Sequence, residues 1–155
     1  MIRDLTALAE SPAEELALHR LPDGVDLGFL AEVANLTSLT LTSPYGTPLP
    51  AVPLRQVTSL EVEGVLVGER IPDVAAVFPA LNSLKLRLTC RSHEAAVDLT
   101  PLRNVLRGQV DVVLVDAGRV HGLDVLPVDR ISVRHEGSGR AEGRTRPGIL
   151  RRFRA

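Results

Sequence analysis

The sequence has no tryptophan, one tyrosine and three phenylalanines, an aromatic share of 3% set against 45% hydrophobic residues. A core without large rings must be made of leucine and valine. Uniform aliphatic layers suit a stack of similar units better than a globule arranged around aromatic anchors. Cys90 is the only cysteine, which excludes an internal disulfide and any zinc site built on cysteines. Its place just after an expected strand makes it an inert, buried or half-buried thiol rather than a nucleophile. Small secreted repeat domains usually carry disulfide-linked caps, so a lone cysteine points to the cytoplasm. Met1 to Glu10 carries Asp4 and Glu10 and no apolar run long enough for a signal peptide. Nowhere does an uninterrupted apolar stretch approach the roughly 18 residues of a membrane span.

Chemistry-bearing patterns are also scarce. His19, His93, His121 and His135 form no i, i+4 pair and have no neighbouring cysteine, so no metal site is expected. Gly137, Gly139 and Gly143 do not follow a strand in G-x-G-x-x-G spacing, and no G-x-x-x-x-G-K-[ST] loop occurs. Nothing in the spacing assembles a Ser-His-Asp set. No enzyme activity and no cofactor are expected, and function is argued as recognition.

Charge is nearly balanced, at −1, which argues against a chain devoted to nucleic acid or a membrane surface. The balance hides an asymmetry. From Arg134 onward seven Arg face Glu136 and Glu142, a net of +5, which leaves −6 for residues 1–133. Lys85 is the only lysine among eighteen basic residues, a bias that reads as genome composition rather than mechanism.

What the sequence does contain is a cadence. Asn35-Leu36-Thr37-Ser38-Leu39-Thr40-Leu41-Thr42 spaces its leucines by three and then two. The step of two is strand alternation, with Leu39 and Leu41 on one face and Ser38, Thr40 and Thr42 on the other. The pattern returns at Val57, Leu60, Val62 and at Leu81, Leu84, Leu86, with a weaker copy at Val128, Ile131, Val133 and an earlier one at Ala13, Leu16, Leu18. Apolar second positions at 18, 41, 62, 86, 112 and 133 are 21–26 residues apart. L-x-x-L-x-L at that period is the mark of leucine-rich repeats. The expectation is an α/β fold, a leucine-rich repeat solenoid (L domain-like) of about six repeats. Parallel strands would line its concave face, with short helices or irregular turns on the convex face. An ordinary α/β domain with buried parallel strands is the alternative.

Taken in order, residues 1–12 hold Leu5 and Leu8 and could cap the first repeat; residues 13–135 form the repeat domain. Ser11-Pro12-Ala13-Glu14 also reads as a helix start, but alignment with the later repeats favours a strand over Glu15 to Leu18. Leu21-Pro22-Asp23-Gly24 is a turn, and Leu27, Leu30, Ala31 and Ala34 suggest a helical return to the strand at 38–42. The prolines of Ser43 to Pro50 exclude helix and central strand. A strand at 59–63 should stop at Gly64. Ile71-Pro72-Asp73 should open a helix through Phe78, followed by a strand at 83–88. Thr100-Pro101 should cap a helix over Leu102 to Leu106, and Val110 to Val115 must be strand. Residues 136–155 lose all period and read as a disordered Gly/Arg-rich tail. The repeats also lack the usual Asn or Cys three residues after the second strand leucine. Leu21, Pro44, Val65, Thr89 and Val115 stand there, so loop backbone must be satisfied in other ways.

A narrower likeness lies in Val97-Asp98-Leu99-Thr100-Pro101-Leu102, Val110-Asp111-Val112 and Gly118-Arg119-Val120-His121-Gly122. These segments resemble the degenerate leucine-rich repeats at the C-termini of actinobacterial NACHT-type (STAND) signalling NTPases. The resemblance implies a bacterial signalling context in which the repeats sense a ligand and an upstream NTPase domain acts as the switch.

The strand residues opposite the core would line the concave face, the usual binding surface of such solenoids. They are Ser38, Thr40 and Thr42; Ser59, Glu61 and Glu63; Ser83, Lys85 and Arg87; Asp111; and Arg130, Ser132 and Arg134. In register, Glu61 would face Lys85 and Glu63 would face Arg87, with Asp111 beyond Lys85. A protein ligand is the expected partner. The second reading is weak nucleic-acid association through Arg140, Arg144, Arg146, Arg151, Arg152 and Arg154, with only Phe153 to stack on a base. A small α/β enzyme without a recognisable motif is the third.

Overall fold

The computed structural model describes residues 6–68, 70–92, 94, 96–105, 109–122, 124 and 131–134. The tail at 136–155, the start at 1–5, and His93, His135, Leu106, Val128 and Arg130 lie outside the described residues.

The chain is an α/β fold dominated by a parallel sheet. Strands β1 (Glu15–Leu18), β2 (Ser38–Thr42), β3 (Ser59–Leu66), β4 (Ser83–Cys90), β6 (Gln109–Val115) and β8 (Ile131–Arg134) pair in that order. Each strand lies beside the one before it, and every pairing is parallel. A doubly wound sheet would reverse its strand order at a switch point; this sheet never reverses, an arrangement compatible with a solenoid. A second sheet joins β5 (Ala96–Asp98) to β7 (Arg119–His121), with Arg70 bridging to Asp98. The leucine spacing of the sequence gives no sign of this second sheet.

Register repeats along the stack. Leu16, Leu39, Leu60, Leu84 and Val110 form one row, and Leu18, Leu41, Val62, Leu86, Val112 and Ile131 the next. Leu39, Leu41, Leu60, Val62, Leu84, Leu86 and Val112 are all buried, as the alternation requires. The last strand departs from the expected alignment. Ile131, not Val133, pairs with Val112, and Val133 pairs with Leu114. A shift of two residues keeps every side chain on its own face, whereas a shift of one would invert them.

Among the described residues, three short helical segments return the chain from one strand to the next: 3-10 turns at Gly28–Glu32 and Thr100–Val105, and helix α1 at Val74–Val77. Phe29, Leu30, Val74, Phe78, Leu102 and Val105 join the strand leucines in one core, so the turns cover the inner face of the sheet. Val97 and Val120 of the second sheet pack against that same core.

Several boundaries differ from expectation. The turn at 28–32 buries Phe29, Leu30 and Val33, while Ala31 and Ala34 are exposed. The helix opened by Pro72 spans only Val74–Val77, where Asp73 accepts a bond from Ala76 N–H. Thr100 begins its 3-10 segment rather than capping an α-helix; Asp98 Oδ1 takes the Thr100 N–H and hydroxyl instead. The third and fourth strands run to Leu66 and Cys90, beyond 63 and 88. Gly64 is therefore inside β3. Gly46 and Thr47 lie so close to it that a Cβ there would overlap the Gly46 carbonyl, so the glycine admits a neighbouring backbone rather than ending the strand.

Backbone at the strand starts is satisfied by a repeated step. The Glu14 carbonyl accepts from Thr37 and Ser38, that of Thr37 from Thr58 and Ser59, that of Thr58 from Asn82 and Ser83, and that of Asn82 from Gln109. Ser43 serves the other end, where the expected Asn or Cys is missing. Its buried hydroxyl donates to the Leu21 carbonyl at 2.9 Å and accepts from Tyr45 N–H at 3.2 Å. Gln56 Nε2 likewise donates to the carbonyls of Leu30 and Val33 at the end of the first 3-10 turn.

Candidate functional site: the outward face of the sheet

Alternation places one side chain in two on the face turned away from the core, and parallel register collects these into rows. The first row is Ser38, Ser59, Ser83 and Gln109; the second is Thr40, Glu61, Lys85 and Asp111; the third is Thr42, Glu63, Arg87 and Val113, with Ser132 in register by its backbone. Glu61 therefore neighbours Lys85, Lys85 neighbours Asp111, and Glu63 neighbours Arg87. The signs alternate across the middle of the sheet as expected. Glu63 Oε1 lies 3.7 Å from Arg87 Nε, with both side chains substantially exposed at 61% and 43%. Such a pair is screened, contributing about 0–1 kcal/mol, and its main effect is to favour one register and one pattern of partner charge. Arg134 joins the row of Val65, Thr89 and Val115 by its backbone, and Arg130 lies outside the described residues.

That additional row is what the shorter strand boundaries concealed. The outward face grades along the strands from hydroxyls, through charges, to the apolar side chains Val65, Val113 and Val115. Alternation running past Gly64 into Val65 and Val67 was the available signal, and the glycine masked it. Val115 is buried despite its outward parity, so the open part of its row ends at Thr89. At the rim of β2, Thr42 Oγ1 lies 3.3 Å from His19 Nδ1 and accepts from Arg20 N–H at 3.1 Å. Thr42 is thus partly engaged within the chain.

Two other groups carry chemical interest. Cys90, the last residue of β4, is buried, and burial first, then the charge of Asp116, pushes its thiol above the ordinary value. That disfavours the thiolate a nucleophile would need. On the second sheet, Arg70, Asp98 and His121 occupy one row. The Thr100 hydroxyl and then its N–H hold Asp98 below the ordinary carboxylate value, Arg70 and His121 add to this, and desolvation opposes it. The bonds to Thr100 make this carboxylate a local cap for the turn that follows. Among the described residues no three His, Cys, Asp or Glu side chains are grouped to hold a metal ion, and no helix is long and apolar enough to cross a membrane. A depression of about 360 Å³ lies among Asp73, Phe78, Leu81 and Val105 on the helical side, away from the charged rows.

Comparison of the chain with protein-family models, with curated proteins and with solved structures finds no match.

Proposed function

We propose that the chain is a leucine-rich repeat solenoid serving as a non-enzymatic protein–protein interaction module. Its ligand would lie on the outward, concave face of the parallel strands. The observation that carries this reading is the in-register row Glu61, Lys85, Asp111 beside the pair Glu63 and Arg87. Alternating charge on adjacent rigid strands is a fixed pattern that a partner of complementary charge can match. Sequential parallel stacking at a spacing of 21–24 residues between β1, β2, β3 and β4 supports the repeat assignment. The resemblance to NACHT-type signalling NTPases suggests that the repeats are the cytoplasmic sensor working with an NTPase domain.

The test is affinity capture with the purified chain and with a variant carrying Glu61→Ala, Lys85→Ala and Asp111→Ala. A protein held in stoichiometric amount by the first and lost by the second supports the reading. Capture indifferent to the three substitutions, or no stoichiometric capture at all, overturns it. The net charge of +5 from Arg134 onward favours one second reading, weak nucleic-acid binding by the tail. Fluorescence anisotropy with a single-stranded oligonucleotide should then show affinity that falls steeply with salt and vanishes when residues 136–155 are removed.

A further inference from the structure

Among the described residues the exposed large hydrophobic side chains are Tyr45 (54%), Val52 (38%) and Val67 (64%). Two of these three stand at the C-terminal ends of adjacent strands. Val67 follows Leu66, the last residue of β3, and Arg91 follows Cys90, the last residue of β4; Leu66 and Cys90 are register partners. Tyr45 lies beyond β2, on the other side of β3, and its carbonyl accepts a bond of 3.2 Å from Arg91 Nη2. The arginine therefore spans the end of β3 to join the loops on either side. Tyr45 is the chain's single tyrosine, whereas Phe29 and Phe78 are buried.

The loop presenting Tyr45 is held in place before any partner arrives. Ser43 anchors to Leu21 and receives the Tyr45 N–H. The Gly46 carbonyl accepts from Val65 N–H at 3.1 Å, and Thr47 Oγ1 donates to the Val65 carbonyl. An ordered, exposed tyrosine beside an arginine matches the composition of interface hot spots, and ordering it in advance removes an entropic cost of binding. A guanidinium carries five N–H donors in a fork suited to a carboxylate, and the Tyr45 carbonyl takes one of them. Lys85 and Arg87, further back on β4, are register partners of Glu61 and Glu63 and add no net positive charge at this rim. The acids Glu61 and Glu63 belong to the rows further from this rim; Glu94 lies three residues beyond Arg91, and Asp116, directly after β6, acts on Cys90 beside it.

We propose that Tyr45, Val67 and Arg91 form an anchor at the C-terminal rim of the sheet for an extended acidic segment of a partner protein. An apolar side chain of the segment would pack on Tyr45 and Val67, and its carboxylate would pair with Arg91. The anchor stands apart from the charged rows and does not depend on them.

The test pans a random-peptide phage library on the full chain and measures the selected peptides by fluorescence anisotropy. Peptides pairing Asp or Glu with a nearby apolar residue should be enriched. Tyr45→Ala and Val67→Asp should each weaken them at least about tenfold, and Arg91→Glu should turn selection towards basic peptides. Val67→Asp makes the test independent of loop order, because the Val67 side chain takes no part in the bonds that hold residues 43–47. Lys85→Ala and Glu61→Ala should leave affinity within about twofold, which separates this anchor from the charged rows. Absence of an acidic–apolar consensus, indifference to both Tyr45→Ala and Val67→Asp, or tighter Tyr45-dependent binding of a single-stranded oligonucleotide would overturn the proposal.

Discussion

A methyl group added at Gly64 would overlap the carbonyl oxygen of Gly46 and come within 3.2 Å of Thr47 Cα. Both obstacles are backbone, and the loop containing them is tied to β3 by the bonds of Gly46 and Thr47 to Val65. Relief therefore needs a shift of chain rather than a rotated side chain. Gly64→Ala should cost about 1–3 kcal/mol in urea unfolding, and an unchanged midpoint would show that the loop moves freely. Asp98 offers a pH-dependent counterpart. Its folded pKa lies below the ordinary value because the ionised form is bonded to Thr100. The stabilisation is then fully present above about 3.9, the unfolded aspartate value, and is lost as pH falls through the lower folded pKa. Asp98→Asn should flatten that part of the acid limb in a series of thermal scans and leave the neutral-pH slope unchanged. Cys90 behaves in the opposite sense, since burial and Asp116 disfavour its thiolate. It should react slowly with a disulfide reagent at pH 8 in the native chain and rapidly once unfolded.

Strand identity was legible because burial on one face forces alternation, and alternation survives in the leucines at 39, 41, 60, 84 and 86. Strand ends were less legible, because Gly64 and Cys90 look like punctuation until the neighbouring loop and the core are seen. The last strand illustrates another limit. Sequence alone pairs Val133 with Val112, but shifting by two residues preserves the buried face, so hydrophobic pattern cannot distinguish that register from the observed pairing of Ile131 with Val112. The second sheet was illegible for a different reason: strands of three residues carry too little alternation to separate from turn. Charge, by contrast, was read correctly on β3 and β4, since outward positions on long strands are fixed once the inward ones are known. A double-mutant cycle on Glu63 and Arg87, each replaced by Ala, should give a coupling of about 0.2–1 kcal/mol. Raising salt should shrink it, because both side chains are largely solvated. A coupling indifferent to salt would mean that the two residues interact by packing of their stems instead.

At the scale of the molecule, sequential stacking makes each strand depend on the two beside it, and the ends depend on one. Leu84 sits in β4 between β3 and β6 and is fully buried, whereas Leu16 in β1 pairs, among the described residues, with β2 alone and is half-buried. Truncating Leu84 to Ala removes atoms from the middle of the continuous core and should cost about 2–5 kcal/mol. The same change at Leu16 removes less buried area and should cost below roughly 1.5 kcal/mol. The two variants should also differ in cooperativity. A weakened end unit frays without uncoupling the others, but a weakened centre divides the array into two parts that bury less surface when they unfold separately. Leu84→Ala should therefore lower the denaturant slope as well as the midpoint, and Leu16→Ala only the midpoint. Amide exchange supplies an independent measurement: protection in the parent chain should be greatest in β3, β4 and β6 and least in β1. Equal losses at Leu16 and Leu84, with uniform protection along the strands, would indicate one indivisible core and count against nearest-neighbour stacking as the source of stability.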